Sequence, residues 1–269
     1  MKTLVIIISL FFYLTNIYPL AKLNAQSLND ITIQITDDDA QWPPFTYYHN
    51  NDSNKLTGFA IDVIHMILDK NNISFNIVLV PWSKALRSVN EGDYHMLLNA
   101  SYNEEREKLY YLSQAYYSLN YAFFYSKTKY PNGLKHLTVD QMKKKYKICG
   151  LTGYSYKDVG LKSNEVDNDS IYSYDKLTKL LHYKHERCDV FVEGYEIFAG
   201  FSVIGQDYLG NKNLKYFIIP KIGKQPFHMM ISKNFKYGKE LQQIINEGIN
   251  DLKQSGQLDQ LFKKYNLIY

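Results

Sequence analysis

The chain has 269 residues, 45% of them hydrophobic and 22% charged, a balance typical of a globular protein with a substantial core. Its formal net charge of +4 at pH 7 is too small and too evenly spread to indicate a nucleic-acid-binding protein. The two cysteines cannot form a disulfide framework, and the chain contains no CxxC or HExxH motif and only scattered histidines. We therefore expect neither a metal site nor a cofactor.

The first 25 residues have the pattern of a secretory signal peptide. Lys2 precedes an apolar run over residues 4–14, and small residues follow near Ala21 and Ala25. The run is shorter than the roughly 20 residues that a transmembrane helix needs, although a retained membrane anchor is an open alternative. We expect a signal peptide over residues 1–25 and a mature protein exported to the periplasm.

The first half of the chain alternates between strand-like and helix-like patterns. A loop rich in turn-forming residues separates the first strand from the first helix. This order is typical of a parallel sheet with covering helices. The predicted elements are strands over 31–36, 73–80 and 94–100 and helices over 59–72, 81–92 and 104–112.

The same alternation starts again after an extended aromatic stretch at 116–127. It predicts strands over 145–151, 170–174 and 188–194, extended segments over 214–220 and 227–233, and helices over 137–145, 153–163, 175–186, 195–205 and 237–265. We therefore expect an α/β protein of two lobes with a cleft between them. One lobe is predicted to comprise residues 28–122 plus 231–269 and the other residues 126–225, with connections near Phe123–Tyr125 and His228–Ile231.

Several segments, in order and at the right spacing, resemble the bacterial extracellular solute-binding proteins of family 3, and the resemblance covers residues 30–267. They are WPPFTYY and LTGFAIDVIHMI near the start, VPWSKALRSVNEGDYHMLLNASYNEERE, KICGLTGYSY, RCDVFVEGYE and the tail GINDLKQSGQLDQLFKKY. The resemblance implies the type II periplasmic-binding fold, in which each lobe is a mostly parallel sheet flanked by helices, with a hinge and a central cleft. It implies capture of a small carboxylate-bearing polar solute, such as an amino acid or derivative, for an ABC-type membrane permease complex. We expect the protein to be a monomer.

The run LLNASYNEERE places Asn99, Ser101 and Arg106 at the junction between a predicted strand and a predicted helix. Such a junction exposes backbone N–H groups at the positive end of a helix, and an arginine fork beside it suits a carboxylate. On this segment alone, the alternative is a helix capped by Ser101 or Asn103 and followed by a surface arginine.

The resemblance assigns roles to residues of both lobes. Arg106 matches the arginine that grips the ligand carboxylate, and Ser101 matches the first threonine of the T-x-T-x-x-R motif. Asn99 lies where a backbone carbonyl meets the ligand ammonium. Tyr154 and Ser155 match the second-lobe turn whose N–H groups complete the carboxylate cage.

One position departs from the family pattern. The family carries an aspartate after its V-D-A strand to hold the α-ammonium, and Gly194 stands at that position here. Either Glu193 or Glu196 supplies the charge from a shifted angle, or the ligand has no α-ammonium.

Four aromatic residues are further candidates for ligand contact. Trp42, Phe45 and Tyr47 lie in the loop at the carboxyl end of the first strand, where α/β sheets place ligands, and Trp82 begins a helix facing the same crevice. They could stack on the ligand or surround a cation. The alternative is that the loop packs onto its own lobe.

Two other functions are compatible with the same scaffold. A dehydratase-like enzyme would need an acid or base, for which Glu193, Glu196 or His228 could serve, and a sensory protein would bind a ligand and dock on a receptor. Nothing in the spacing of these residues demands catalysis, so we expect no enzyme.

Cys149 and Cys188 fall on strands predicted to be neighbours in the second lobe, so we expect them to lie close. Because a direct bridge between parallel strands is geometrically awkward, we expect two buried thiols.

Overall fold

The computed structural model describes residues 27–49, 52–134, 137–182 and 187–267, so the predicted signal peptide lies outside the described residues. Within these ranges, no helix is long and apolar enough to cross a membrane. The strands are β1 (Ile33–Asp38), β2 (Tyr47–His49), β3 (Asp52–Thr57), β4 (Phe75–Val80), β5 (Met96–Ser101), β6 (Tyr110–Leu112), β7 (Tyr117–Leu119), β8 (Tyr121–Ser126), β9 (Ile148–Cys149), β10 (Val190–Gly194), β11 (Leu214–Ile218) and β12 (Gln225–Ser232). The helices are α1 (Phe59–Leu68), α2 (Trp82–Glu91), α3 (Glu104–Leu109), α4 (Val139–Lys145), α5 (Tyr174–His182), α6 (Tyr195–Gly200), α7 (Gly238–Gln254) and α8 (Gln257–Lys264).

The first lobe is built on a sheet of order β4-β1-β5-β12-β6, with β7 also paired to β12. Strands β4, β1 and β5 are parallel, as the alternation of strands and helices predicts. Strand β5 is buried at all six positions, which is typical of a central strand covered on both faces. Strand β12 returns from the second lobe and pairs antiparallel with β5.

The second lobe is built on a sheet of order β11-β8-β10-β9. Strands β10 and β9 are parallel, whereas β8 is antiparallel to both β10 and β11. The predicted α/β class and two-lobed architecture are confirmed. Both sheets are mixed rather than mostly parallel, because β8 and β12 carry the chain between the lobes and run opposite to their neighbours.

The chain passes between the two sheets a few residues before the predicted connections. Asn120 alone separates β7 in the first sheet from β8 in the second, and the return lies between Ile218 and Gln225. The predicted connectors Phe123–Tyr125 and His228–Ile231 lie inside β8 and β12. The division into domains at residues 122, 126, 225 and 231 stays a prediction.

The second lobe contains less regular structure than the sequence pattern predicts. The segment predicted as a helix over 153–163 holds a 3-10 turn at Lys157–Val159 and the start of another at Ser163–Glu165, because Gly153 and Gly160 adopt left-handed φ values of 82° and 86°. The predicted strand over 170–174 is a turn leading into α5.

Two other predicted helices are shorter than expected. The tail is divided into α7 and α8 at Gly256, where φ is 72°. The end of the helix predicted over 104–112 becomes β6, whose strand pairing with β12 supplies backbone hydrogen bonds that a helix would otherwise provide.

The loop after β1 is fixed against the start of α1. The backbone N–H groups of Phe59 and Ala60 donate to the carbonyls of Pro44 and Phe45, at 2.9 and 3.0 Å. A Cβ at Gly58, whose φ is 131°, would lie 2.1 Å from the Phe45 carbonyl oxygen, so this close approach requires glycine. The contact holds the preceding loop over the carboxyl ends of β1 and β5.

Cys149 and Cys188 are close, as predicted, with Cα atoms 5.8 Å apart, but they form a disulfide and the expectation of two free thiols is wrong. Cys149 ends β9 and is opposite Phe191 in the parallel register. Cys188 lies in the turn before β10, and it is therefore not the cross-strand neighbour for which a bridge would be awkward.

Candidate functional site

A narrow cavity lies between the lobes at the carboxyl ends of β1 and β5. This is the position at which open α/β sheets place ligands. Seven of the ten residues predicted from the sequence line it: Trp42, Trp82, Asn99, Ser101, Arg106, Tyr154 and Ser155. Four lining residues were not predicted: Asp37, Asp38, Tyr121 and Phe227.

Arg106 is buried, with 7% of its surface exposed, so the alternative of a surface arginine is wrong. Asn103 caps α3 and accepts a hydrogen bond from the backbone N–H of Arg106, which fixes where the side chain starts. Nη1 of Arg106 donates hydrogen bonds to the carbonyl and to the hydroxyl of Ser101, both at 2.8 Å. Its guanidinium carbon lies 5.5 Å from the centroid of the Trp82 ring.

The guanidinium of Arg106 still has donors to offer. Nε and Nη2 make no hydrogen bond to any described residue, whereas Nη1 is held by Ser101. Burial lowers the pKa of Arg106, although an arginine stays charged at physiological pH. The arrangement presents a desolvated, oriented cation to the cavity.

Asn99 has a left-handed backbone, with a φ of 55°, and a side chain fully used by the first lobe. Its Nδ2 donates to Asp37 Oδ2 at 2.5 Å and to Thr46 Oγ1 at 2.7 Å. Its Oδ1 accepts from the hydroxyls of Tyr116 and Tyr117 at 2.8 and 2.9 Å. The amide therefore positions its neighbours, and any contact with a ligand would come from the backbone of Asn99, as the resemblance implies.

Two carboxylates at the end of β1 line the same cavity. Burial raises the pKa of Asp37 to about 7, and hydrogen bonds from Thr46 and Asn99 limit the rise. Burial likewise raises the pKa of Asp38 to about 6, and Asp38 accepts a hydrogen bond of 2.7 Å from the Tyr154 hydroxyl of the other lobe. Both carboxylates would be stabilised by a positive group in the cavity.

The two tryptophans frame the cavity. Trp42 Nε1 donates a hydrogen bond of 2.6 Å to the Tyr174 hydroxyl of the second lobe. The centroid of the Trp42 ring lies 5.1 Å from that of Phe227 and 6.2 Å from that of Tyr154. Trp82 lies 5.8 Å from Tyr154. Its indole Nε1 is buried and has no hydrogen-bond partner among the described residues. A buried donor without a partner costs free energy, so this group favours a ligand that accepts a hydrogen bond.

Three other predicted residues do not line the cavity. Phe45 is 1% exposed and stacks on Tyr117 at 4.1 Å, so it packs beneath the site in its own lobe. Glu193 is fully buried beside the Gly194 N–H, which donates to it at 2.7 Å, and burial raises its pKa to about 8. Glu196 accepts hydrogen bonds from the backbone and side-chain nitrogens of Asn120 at 3.0 and 2.7 Å.

The cleft is closed. Besides the Asp38–Tyr154 and Trp42–Tyr174 hydrogen bonds, Lys157 forms an ion pair of 2.7 Å with Glu105 at the mouth. The Asn103 amide also lies 3.4 Å from the Ser155 hydroxyl. All these contacts join one lobe to the other.

No cluster of three or more His, Cys, Asp or Glu side chains suited to a metal ion occurs in the part of the chain that the structure describes. The third candidate acid or base, His228, bonds to the Ser113 carbonyl at 2.7 Å and does not line the cavity.

Known proteins resemble this chain in both sequence and fold. The probable histidine-binding protein of Campylobacter jejuni is 26% identical over 231 residues, which cover 84% of this chain and 82% of that protein. The solved substrate-binding protein of an amino acid ABC transporter superposes with a TM-score of 0.69 at 20% identity, covering 87% of this chain and 99% of that one.

Two further solved structures share the fold. The arginine-, lysine-, histidine-binding protein ArtJ of Geobacillus stearothermophilus has a TM-score of 0.68 at 15% identity, over 87% of this chain and 95% of that one. A histidine kinase sensor domain has a TM-score of 0.70 at 17% identity, with the same coverage. The model of the bacterial extracellular solute-binding proteins, family 3, matches residues 35–268. The chain therefore belongs to the bacterial extracellular solute-binding proteins of family 3.

Proposed function

We propose that this protein captures a small carboxylate-bearing polar solute, an amino acid or derivative, between its lobes and delivers it to an ABC-type membrane permease complex. The observation that carries the proposal is Arg106, a buried cation in the cavity with Nε and Nη2 free of hydrogen bonds to described residues. A carboxylate matches the planar fork of a guanidinium and would accept two parallel hydrogen bonds from it.

Two carboxylates in the cavity support an amine on the same solute. Asp37 and Asp38 line the cavity, with Arg106 the only lysine or arginine among the lining residues. These carboxylates would hold the ammonium of the solute, which is the role of the family aspartate that Gly194 replaces here. The named relatives that bind histidine or arginine are consistent with such a solute.

The proposal extends to the partner and the location. The family consists of extracellular solute-binding proteins, and we propose a periplasmic monomer released from its signal peptide. Cell fractionation, the mass of the secreted chain and light scattering after gel filtration would test these three points.

We also propose that the protein is not an enzyme. None of Glu193, Glu196 and His228 lines the cavity, so the acids and bases considered for a dehydratase would not reach a bound solute.

The decisive experiment is a thermal-shift screen of the exported chain, produced from residue 26, against the twenty L-amino acids, putrescine and succinate. Calorimetry should follow for each hit. We expect at least one amino acid to raise the melting temperature and to be recovered unchanged from the protein. A chemically altered solute would support the enzyme instead, and stabilisation by putrescine or succinate alone would refute the amino-acid assignment.

A further inference from the structure

A carboxylate of the second lobe lies opposite the cavity arginine. Asp158 belongs to the 3-10 turn at Lys157–Val159, which is drawn against α3 by the 2.7 Å ion pair of Lys157 and Glu105. Both carboxylate oxygens of Asp158 are shielded from solvent, and neither has a hydrogen-bond partner among the described residues. Neither oxygen is close enough to Arg106 to form an ion pair within 4.0 Å, which leaves a gap between the two charges.

Arg106 is the cation that acts on Asp158. The other titratable groups that interact with Asp158 are Tyr121 on β8, Tyr156 on its own turn and Glu193 on β10, none of which carries a positive charge. Asp158 is in turn the charged group with the largest influence on Arg106. Burial raises the pKa of Asp158 to about 6, although the positive charge of Arg106 opposes the rise.

A solute carboxylate bound to Arg106 would add a second negative charge beside the same guanidinium. Two ionised carboxylates at one site repel each other, which costs electrostatic free energy. The pKa of one of them therefore rises. The solute carboxylate gains hydrogen bonds from Arg106, whereas Asp158 is approached, among the described residues, only by the Ser101 hydroxyl and the backbone N–H groups of Asp158 and Val159, none of them in hydrogen-bond geometry. Asp158 is therefore the group that takes up the proton.

Resting on the function proposed above, we propose that Asp158 is a specificity-determining residue that competes with the solute carboxylate for Arg106 and accepts a proton from bulk water when that carboxylate binds. The protonated carboxyl then becomes a donor toward the solute. In the open cleft Asp158 faces water and is ionised at neutral pH. Binding is therefore linked to proton uptake, and affinity falls as the pH rises.

The pKa of Asp158 in the closed cleft sets the size of the expected pH effect on affinity. Measured from the closed cleft without solute, where the pKa of Asp158 is about 6, protonating Asp158 at pH 8 reduces affinity by a factor of about 100. If Asp158 stays partly ionised instead, the loss is smaller. Asp158→Asn keeps the shape and removes the charge, so we expect it to bind a carboxylate solute about 10- to 100-fold more tightly than the native protein at pH 8.

Titration calorimetry of the native protein and Asp158→Asn at pH 5.5 and pH 8 tests this inference. The probe is L-arginine, whose guanidinium does not titrate in this range, with agmatine as the same cation lacking the carboxylate. L-glutamine and 4-aminobutanamide form an equivalent pair if the screen selects glutamine. Glu104→Gln is the matched control, because it removes an exposed carboxylate of α3 that belongs to none of the described contacts between the lobes.

We expect Asp158→Asn to gain affinity for the amino acid at pH 8 but not for its decarboxylated analogue. Its proton uptake, measured in buffers of different ionisation enthalpy, should be lower than that of the native protein and of Glu104→Gln. Equal affinity and equal proton uptake in the native protein and Asp158→Asn would refute the role of Asp158 while leaving the proposed function intact. A loss of affinity in Asp158→Asn, with a normal melting temperature, would refute it as well.

If the native protein and Asp158→Asn bind none of the amino acids in the screen, the proposed function and this inference both fall. Should Asp158→Asn not fold, Asp158→Ser removes the same charge with a smaller side chain and gives the same comparison.

Discussion

Replacing Arg106 by alanine tests the carboxylate clamp directly. The side chain is 7% exposed, Ser101 holds its Nη1 through two hydrogen bonds of 2.8 Å, and Nε and Nη2 remain for a solute. Removing one partner of a buried, hydrogen-bonded charge pair costs about 2–5 kcal/mol, or about 30-fold to several thousand-fold in affinity. We expect a loss of that size for Arg106→Ala with the amino acid selected by the screen.

Two further variants separate the fork from the charge. Arg106→Lys should restore little of the affinity, because a lysine ammonium cannot reproduce two parallel hydrogen bonds. Arg87→Ala is the matched control, since Arg87 is an exposed arginine on α2 and its loss should change affinity by less than about twofold. Calorimetric titration of all three variants is the assay. An Arg106→Ala protein that binds within twofold of the native affinity would refute the site.

Three other outcomes follow from the described contacts. Burial raises the pKa of Asp37 to about 7, so the contribution of Asp37 to the free energy of unfolding is fully present below about pH 4 and is lost as the pH rises to 7. Asp37→Asn should flatten the pH dependence of the free energy of unfolding, measured by chemical denaturation from pH 4 to 8. An unchanged slope would contradict the assignment. A Cβ at Gly200 of the second lobe would lie 2.3 Å from the Pro43 carbonyl oxygen of the first lobe. Gly200→Ala should therefore weaken solute binding by about 1–3 kcal/mol, measured by calorimetry. A variant with native affinity would show that the lobes close without this contact. Reduction of the Cys149–Cys188 disulfide should raise the mass of the protein by two hydrogens. Cys188→Ser should lower the free energy of unfolding by about 2–4 kcal/mol. A native protein whose cysteines are alkylated without prior reduction would contradict the bridge.

The first lobe was largely predictable from hydrophobic periodicity. Helix α2 follows the predicted segment over 81–92 because its apolar residues recur at helical spacing and Gly92 ends it with a φ of 93°. The second lobe was less predictable, since a strand as short as β9 carries too few residues for a pattern. The antiparallel course of β8 depends on contacts distant in sequence, which periodicity does not report.

The site was partly predictable for a related physical reason. Arg106 and Ser101 belong to one continuous strand-to-helix junction, which a local pattern can reveal. Asp37 and Asp38 were missed because three consecutive aspartates after a strand are typical of a solvated turn. The signal that could have identified them is the strand itself, which continues to Asp38 and so places two of the three carboxylates at its buried end.

Hydrogen bonds between polar side chains join the two lobes in the closed cleft. Trp42 bonds to Tyr174 and Asp38 to Tyr154, and each group would return to water if the lobes separated. A typical hydrogen bond adds only about 0.5–1.5 kcal/mol net to stability, so these contacts hold the lobes together weakly. Closure without solute also brings Arg106 and Asp158 out of water without an ion pair. A solute that bonds to Arg106 adds interactions that exist only in the closed form, and a ligand shifts such an equilibrium by its difference in affinity for the two states. We therefore expect the free protein to open and the bound protein to close, and small-angle scattering curves that superimpose with and without the selected amino acid would contradict this hinge motion.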